Sequence, residues 1–176
     1  MAISTWIIDP THSAIQFQVK QSVVVVNGAF MNYKGAMTAA EPNFSDASIH
    51  FEMEVNSINT NFETRDEHLR TADFFDASTF PTVTFDSTSF TPKSNDQYEL
   101  VGNLTIRGIT IPVRLDVTYG GTVQDRAGKT IAGFELNGVI KRKDFGMTYN
   151  ALMEKGELAL GEDIKIHASV QLIQQA

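Results

Sequence analysis

Residues 47–58, from Ala47 to Ile58, read ASIHFEMEVNSI, and their alternation decides the fold. Ile49, Phe51, Met53 and Val55 fall on one side of an extended chain, and Ser48, His50, Glu52 and Glu54 on the other, because successive strand side chains point to opposite faces. A helix would scatter these apolar residues around its axis, so a half-buried strand is predicted. The same period recurs at Ile15, Phe17 and Val19; around Val83 and Phe85; and at Tyr98, Leu100, Leu104 and Ile106. It returns from Ile111 to Tyr119, at Phe134, Leu136 and Ile140, and from Ile164 to Leu172.

Turn signals separate these runs: Arg107-Gly108, a two-residue hairpin at Gly120-Gly121, the Asp125 to Gly128 segment, Gly156 and Gly161. Short connections imply antiparallel neighbours. Without a linker, charge block or fixed-period repeat, residues 1–176 are expected to form one domain, all-β, with about eight strands closed as a barrel or stacked as a sandwich. Periodicity leaves both architectures open.

One stretch departs from the pattern. TNFETRDEHLRTADFFD, Thr60 to Asp76, opens with Thr and Glu at capping-box spacing and predicts a helix of about three turns. Phe62 and Leu69 would share one face of it, and Asp66 and Arg70 would pair at i, i+4. Pro81 helps to prevent its continuation.

Net charge excludes some functions. At −7 the chain is a poor ligand for phosphate backbones, so no nucleic-acid partner is expected. There is no cysteine, which removes disulfides, thiolate nucleophiles and Cys-type zinc sites. The start, MAISTWIIDPTHS, lacks a basic and an apolar leader region, and the longest purely aliphatic run is Val23 to Val26, so no transmembrane segment is expected. The expected location is cytoplasmic as the sequence stands, and periplasmic if a leader has been removed.

Catalytic signatures are missing. A helical zinc site needs histidines at i and i+4, but positions 64 and 72 around His68 are Thr and Ala. Glu63, Glu67 and His68 could face a hard cation, yet acids in a first helical turn answer the helix dipole anyway. His12, His50, His68 and His167 lie in four separate segments, with His50 and His167 on polar strand faces and His12 in a turn. No nucleophile elbow or phosphate loop is present, so no catalytic residue, metal or cofactor is assigned. The remaining enzymatic alternative is action on a lipid-like substrate through Arg65, Asp66 and His68.

Twelve phenylalanines against one tryptophan supply rings without a polar handle. In a small barrel Phe17, Phe51, Phe85, Phe134 and Met53 could either fill the interior or line an elongated cavity. Lys141-Arg142-Lys143 reads as a solvated strand end or as a cationic barrel mouth able to meet an anionic headgroup.

The segments WIIDPTHSAIQFQV, VNGAFMNYKG, SINTNFETRDEHLRTADFFDASTFPTVTF, GNLTIRGITIPV and KRKDFGM, in this order, closely resemble the YceI-like family of lipocalin-shaped isoprenoid-binding proteins. The resemblance runs from Trp6 to the last strand. It implies an extended antiparallel lipocalin-like barrel of about eight strands, whose interior holds an isoprenoid, isoprenoid quinone or other long lipid chain for transport, storage or sequestration. Arg65, Asp66, His68, Leu69, Phe74 and Phe75 would then belong to a helical cover, with Asp144-Phe145-Gly146 in a loop near one end. Many members carry a secretion signal, and dimers are known among similar proteins, so a homodimer is carried as an expectation. The candidate lining is Phe17, Val19, Phe51, Met53, Phe74, Phe75, Phe85, Leu104, Leu115 and Phe134. The headgroup candidates are Arg65, His68, Arg142 and Lys143.

Overall fold

The computed structural model describes residues 2–150 and 160–176; the turn expected at Gly156 lies outside them. Eleven strands occur among the described residues: β1 (Ser4–Ile8), β2 (Ala14–Gln21), β3 (Val24–Phe30), β4 (Tyr33–Ala39), β5 (Ser48–Glu54), β6 (Ile58–Asn59), β7 (Thr82–Pro92), β8 (Gln97–Ile106), β9 (Ile109–Gln124), β10 (Thr130–Lys141) and β11 (Leu160–Gln174). Every pairing is antiparallel, and the order β1-β4-β5-β7-β8-β9-β10-β11 closes because β11 also pairs with β1. The result is an eight-stranded closed lipocalin-like barrel, with one α-helix among the described residues. A sandwich is thereby excluded.

The strand count reconciles with eight because three barrel strands are each broken once. β1 and β2 form one, β3 and β4 the next, and β5 and β6 the third; β2 continues the barrel beside β11, followed by β3 and β6. The first break is the DPTHS turn. Pro10 cannot donate to a ladder, and the Asp9 carboxylate accepts from the Thr11 amide at 3.0 Å and the Thr11 hydroxyl at 2.6 Å, with His12 Nδ1 2.9 Å away. The strand expected across 47–58 likewise stops at Glu54. There the Val55 amide donates to Pro81 O at 2.9 Å, and a 3₁₀ turn intervenes before β6.

Gly120-Gly121 is not a hairpin. Both glycines lie inside β9, where the register with β10 shifts between Gly133↔Gly121 and Phe134↔Tyr119 and leaves an extra residue, a β-bulge. The reversal occurs at Asp125 to Gly128 instead, where Asp125 Oδ1 accepts the Ala127 and Lys129 amides at 2.9 Å each.

The helix also departs from expectation. α1 spans Glu63–Leu69, about two turns, with Phe62 at its N-cap and no side-chain cap bond, so the capping box does not form. Asn61 adopts φ 65 and turns the chain before the helix begins. Thr60 therefore lies out of capping reach and donates its amide (2.9 Å) and hydroxyl (2.5 Å) to Asp66, which is buried. With Asp66 committed, Arg70 pairs with Glu63 at 3.0 Å rather than with Asp66. Phe62 does not join Leu69; it is exposed, 5.7 Å beneath the Arg65 guanidinium. After α1 successive turns fold Phe74 and Phe75 into the core, and Arg107 of the β8–β9 turn fixes them by donating to Ala72 O and Phe74 O at 2.8 and 2.5 Å.

This cover occupies the upper end of the barrel, together with the β8–β9 turn and the β2–β3 hairpin. At the lower end the 40–47 loop inserts Phe44, whose ring lies 5.5 Å from Trp6, 5.8 Å from Tyr119 and 5.7 Å from Phe134. Asp46 holds the loop by accepting the Ala40 and Glu41 amides at 2.9 and 3.0 Å. These amides, Glu41 first, hold its carboxyl below the usual 3.8. A depressed folded pKa means the contribution is present above the unfolded value and lost as pH falls through the folded one. Trp6, the only tryptophan, should report this: its emission shifts to the red when pH drops below about 3.8. Asp46→Asn should show the shifted emission already at neutral pH and lose the acid-dependent step.

Candidate functional site: an apolar barrel interior

Strand parity aims one side chain in two into the barrel, and nearly all of those aimed inward here are apolar. A filled interior would bury them completely. Instead Ile49, Phe51, Val113, Leu115, Leu136, Ile166 and Val170 stay half-buried although they point inward. They surround a cavity of about 260 Å³ whose wall presents essentially only carbon. That is far more than the roughly 10–15 Å³ one water requires, but a water needs polar partners this wall does not offer. Of the two interiors left open by the sequence, the lined cavity is the one that forms.

Glycines in the wall keep the space open. Gly28 lies opposite Phe17, and a Cβ on it would come within 2.2 Å of that ring; at Gly102 a Cβ would come within 2.3 Å of the Phe85 ring. Each glycine leaves room for the end of the neighbouring ring to lie against the strand backbone, space that any larger residue would take. Phe30 extends the aromatic lining between Phe17 and Phe75, with centroids 5.7 Å from each.

All ten candidate lining residues border this cavity: Phe17 and Val19 from β2, Phe51 and Met53 from β5, Phe85 from β7, Leu104 from β8, Leu115 from β9, Phe134 from β10, and Phe74 and Phe75 from the cover. The helix adds Leu69. Sequence reasoning left out Leu100, Ile164 and Ile166, which border it too and carried the same alternation signal, and Phe90, which a register shift between Ser87 and Ser89 brings inward out of step with Val83 and Phe85. Met147 also lines it, from a loop with no periodicity to betray it.

The polar candidates are placed differently. Arg65 is spent on Thr60, with Nε donating to the hydroxyl and Nη2 to the carbonyl, both at 2.7 Å. His68 Nε2 lies 2.9 Å from Asp73 Oδ2, its ring edge-on to Phe74 and Tyr149. Neither residue borders the cavity, and nor does Asp66. Lys143 is exposed at the upper end.

Arg142 is neither a solvated strand end nor an open cationic mouth, since its side chain is only 2% exposed. It borders the cavity, while its nitrogens face the protein: Nε donates to Gly161 O at 2.8 Å, and Nη1 to Met147 O at 2.8 Å and Tyr149 O at 2.7 Å. Nη2 reaches Leu160 O and Glu162 at 3.4 Å each. Burial pushes its pKa down, and the Glu162 charge opposes that shift. The residue clasps the loop after β10 to the start of β11, a role set by contacts remote in sequence.

The YceI-like domain profile matches residues 6–172, nearly the whole chain. The chain belongs to the YceI-like family. A UPF0312 protein of Staphylococcus aureus strain N315 is 34% identical over 165 residues, covering 93% of this chain and 94% of the relative. Protein YceI of Salmonella newport is 35% identical over 165 residues, 93% of this chain and 83% of that one. Among solved structures, the Campylobacter jejuni YceI protein superposes with a TM-score of 0.77 at 29% identity, covering 88% of each chain. A polyisoprenoid-binding domain from Saccharophagus degradans shares the fold, with a TM-score of 0.67 at 13% identity over 97% of this chain and 98% of that one.

Two substitutions test how this YceI-like interior is built. Gly28→Ala should force the Phe17 ring off the wall and lower stability by about 1–3 kcal/mol, read by urea unfolding. Arg142→Met should cost roughly 3 kcal/mol or more because it orphans several loop carbonyls, with Arg142→Lys restoring only part, since an ammonium cannot reproduce the guanidinium fork.

Proposed function

We propose that this protein binds a long-chain amphiphile, such as a polyisoprenoid, an isoprenoid quinone or a fatty acid derivative, with its tail in the barrel interior, for transport, storage or sequestration. The observation that carries this reading is the carbon-walled cavity. Each buried CH₂ contributes about 0.8 kcal/mol, so ten of them give about 8 kcal/mol to set against the costs of association, and tail length is the main source of affinity. The Saccharophagus degradans polyisoprenoid-binding domain supports the same class of ligand on the same fold. The headgroup would sit at the upper end, where Lys143 is the candidate cation left exposed. Catalysis through Arg65, Asp66 and His68 draws no support from geometry, because each is engaged locally and away from the cavity.

Native mass spectrometry of the purified protein, followed by organic extraction, should reveal a chain-like amphiphile at near-stoichiometric load. Leu115→Trp should narrow the lumen and weaken binding of a lipophilic fluorescent probe at least tenfold, roughly a loss of 1.4 kcal/mol, with the fold intact. An interior empty after expression in several hosts, together with no probe uptake, would refute the proposal.

A further inference from the structure

The tip of the β2–β3 hairpin carries Val23, Val24 and Val25, which are 89%, 58% and 54% exposed. Soluble proteins protect strand edges with charge or proline and rarely leave an aliphatic run open at a projecting turn. β3 pairs with β6 only at Ala29 and Phe30, so the outer edge of its first residues has no partner strand among those described. The register relates this tip to the cavity. Val19 pairs with Val26 and lines the lumen, and two residues further out Val24, opposite Gln21, lies on the same hairpin face beyond the rim. An apolar track thus leads from the cavity wall to the exposed tip.

Cations flank it. Lys20 pairs with Val25 across the hairpin, Lys165 lies opposite Gln18 on the neighbouring strand, and Lys143 sits in the turn after β10 at the same end. Among the described residues none of the three forms an ion pair. Of the nearby acids among the described residues, Asp163 is paired with Lys141 and Glu162 with Arg142, while Asp144 forms no ion pair there. In a chain of net charge −7, unpaired lysines around an aliphatic tip stand against the overall field.

We infer that the β2–β3 tip docks the upper end of the barrel on a lipid bilayer with anionic headgroups, so that a tail passes between membrane and cavity along the apolar track. This rests on the amphiphile-binding reading above. A second copy of the chain is the poorer occupant, because a two-fold contact through the tips would bring like lysines together. A bilayer instead offers acyl chains to the valines and negative charge to the lysines, each lysine strengthening attachment about fivefold.

The test is flotation with phosphatidylglycerol vesicles and with phosphatidylcholine vesicles at low ionic strength. The wild type should bind the former far more strongly. The double variant Val23→Asp, Val24→Asp should lose at least tenfold in vesicle binding while keeping its unfolding midpoint and its probe affinity in vesicle-free solution. Lys20→Glu with Lys143→Glu should abolish the anionic preference. Probe affinity measured without vesicles reports on the amphiphile reading separately, so failure of either idea is recognised alone. The docking inference is overturned if the wild type binds neither vesicle, if the aspartate variant binds like wild type, or if the same aspartates dissolve a wild-type dimer that has no vesicle affinity.

Discussion

Closure of the barrel depends on one strand shared among three neighbours. β11 pairs with β10 along almost its whole length, with β2 through its first half and with β1 through its last residues. A sheet closed this way has no long free edge, and its inward side chains face one another across a common lumen. The DPTHS break makes the sharing possible, because Asp9 and Ser13 both bond Gln171 where β11 passes from one partner to the other. Asp9 N donates to Gln171 O at 2.8 Å, and Gln171 N donates to Ser13 Oγ at 2.9 Å. The aspartate and serine of that motif are therefore joints in the ladder.

A lumen left open forfeits packing that a filled core would have, and the structure compensates at its ends. Below, Phe44 joins Trp6, Tyr119 and Phe134, and Phe90 stacks on Tyr98, whose hydroxyl donates to Asn43 O at 2.6 Å. Edge-on and stacked rings at these separations contribute beyond their buried area. Above, α1 and the turns after it are held by hydrogen bonds to buried Asp66 and by Arg107. Packing is dense at the two ends and sparse between them.

The strands were legible because alternation is a local property, and the eight lining residues chosen from strands border the same cavity. Other features depended on partners far along the chain. Thr60 and Glu63 have capping spacing, but Asn61 diverts the backbone and Asp66 takes the threonine. Gly120-Gly121 satisfies the demands of a hairpin and of a bulge equally, and only pairing with β10 decides between them. Arg142 looks like surface charge until the carbonyl of Gly161 is brought to it. The cavity itself depends on where rings such as Phe17 and Phe85 come to rest, and Gly28 and Gly102 on neighbouring strands make room for them against the backbone.

These placements divide affinity from selectivity. A carbon wall rewards each methylene by a similar amount and cannot reject a ligand for lacking a hydrogen-bonding group, so the lumen discriminates weakly, by length and girth. Polar discrimination requires donors that a bound molecule can reach, and among the described residues the cavity wall presents essentially none, since Arg142 directs its donors to its own loop and to Gly161. The charged cluster from Arg65 to Asp73 is occupied in fastening the cover. If the interior holds an amphiphile's tail as proposed, selection among amphiphiles sharing that tail would act at the upper rim, while the barrel below would supply most of the binding energy.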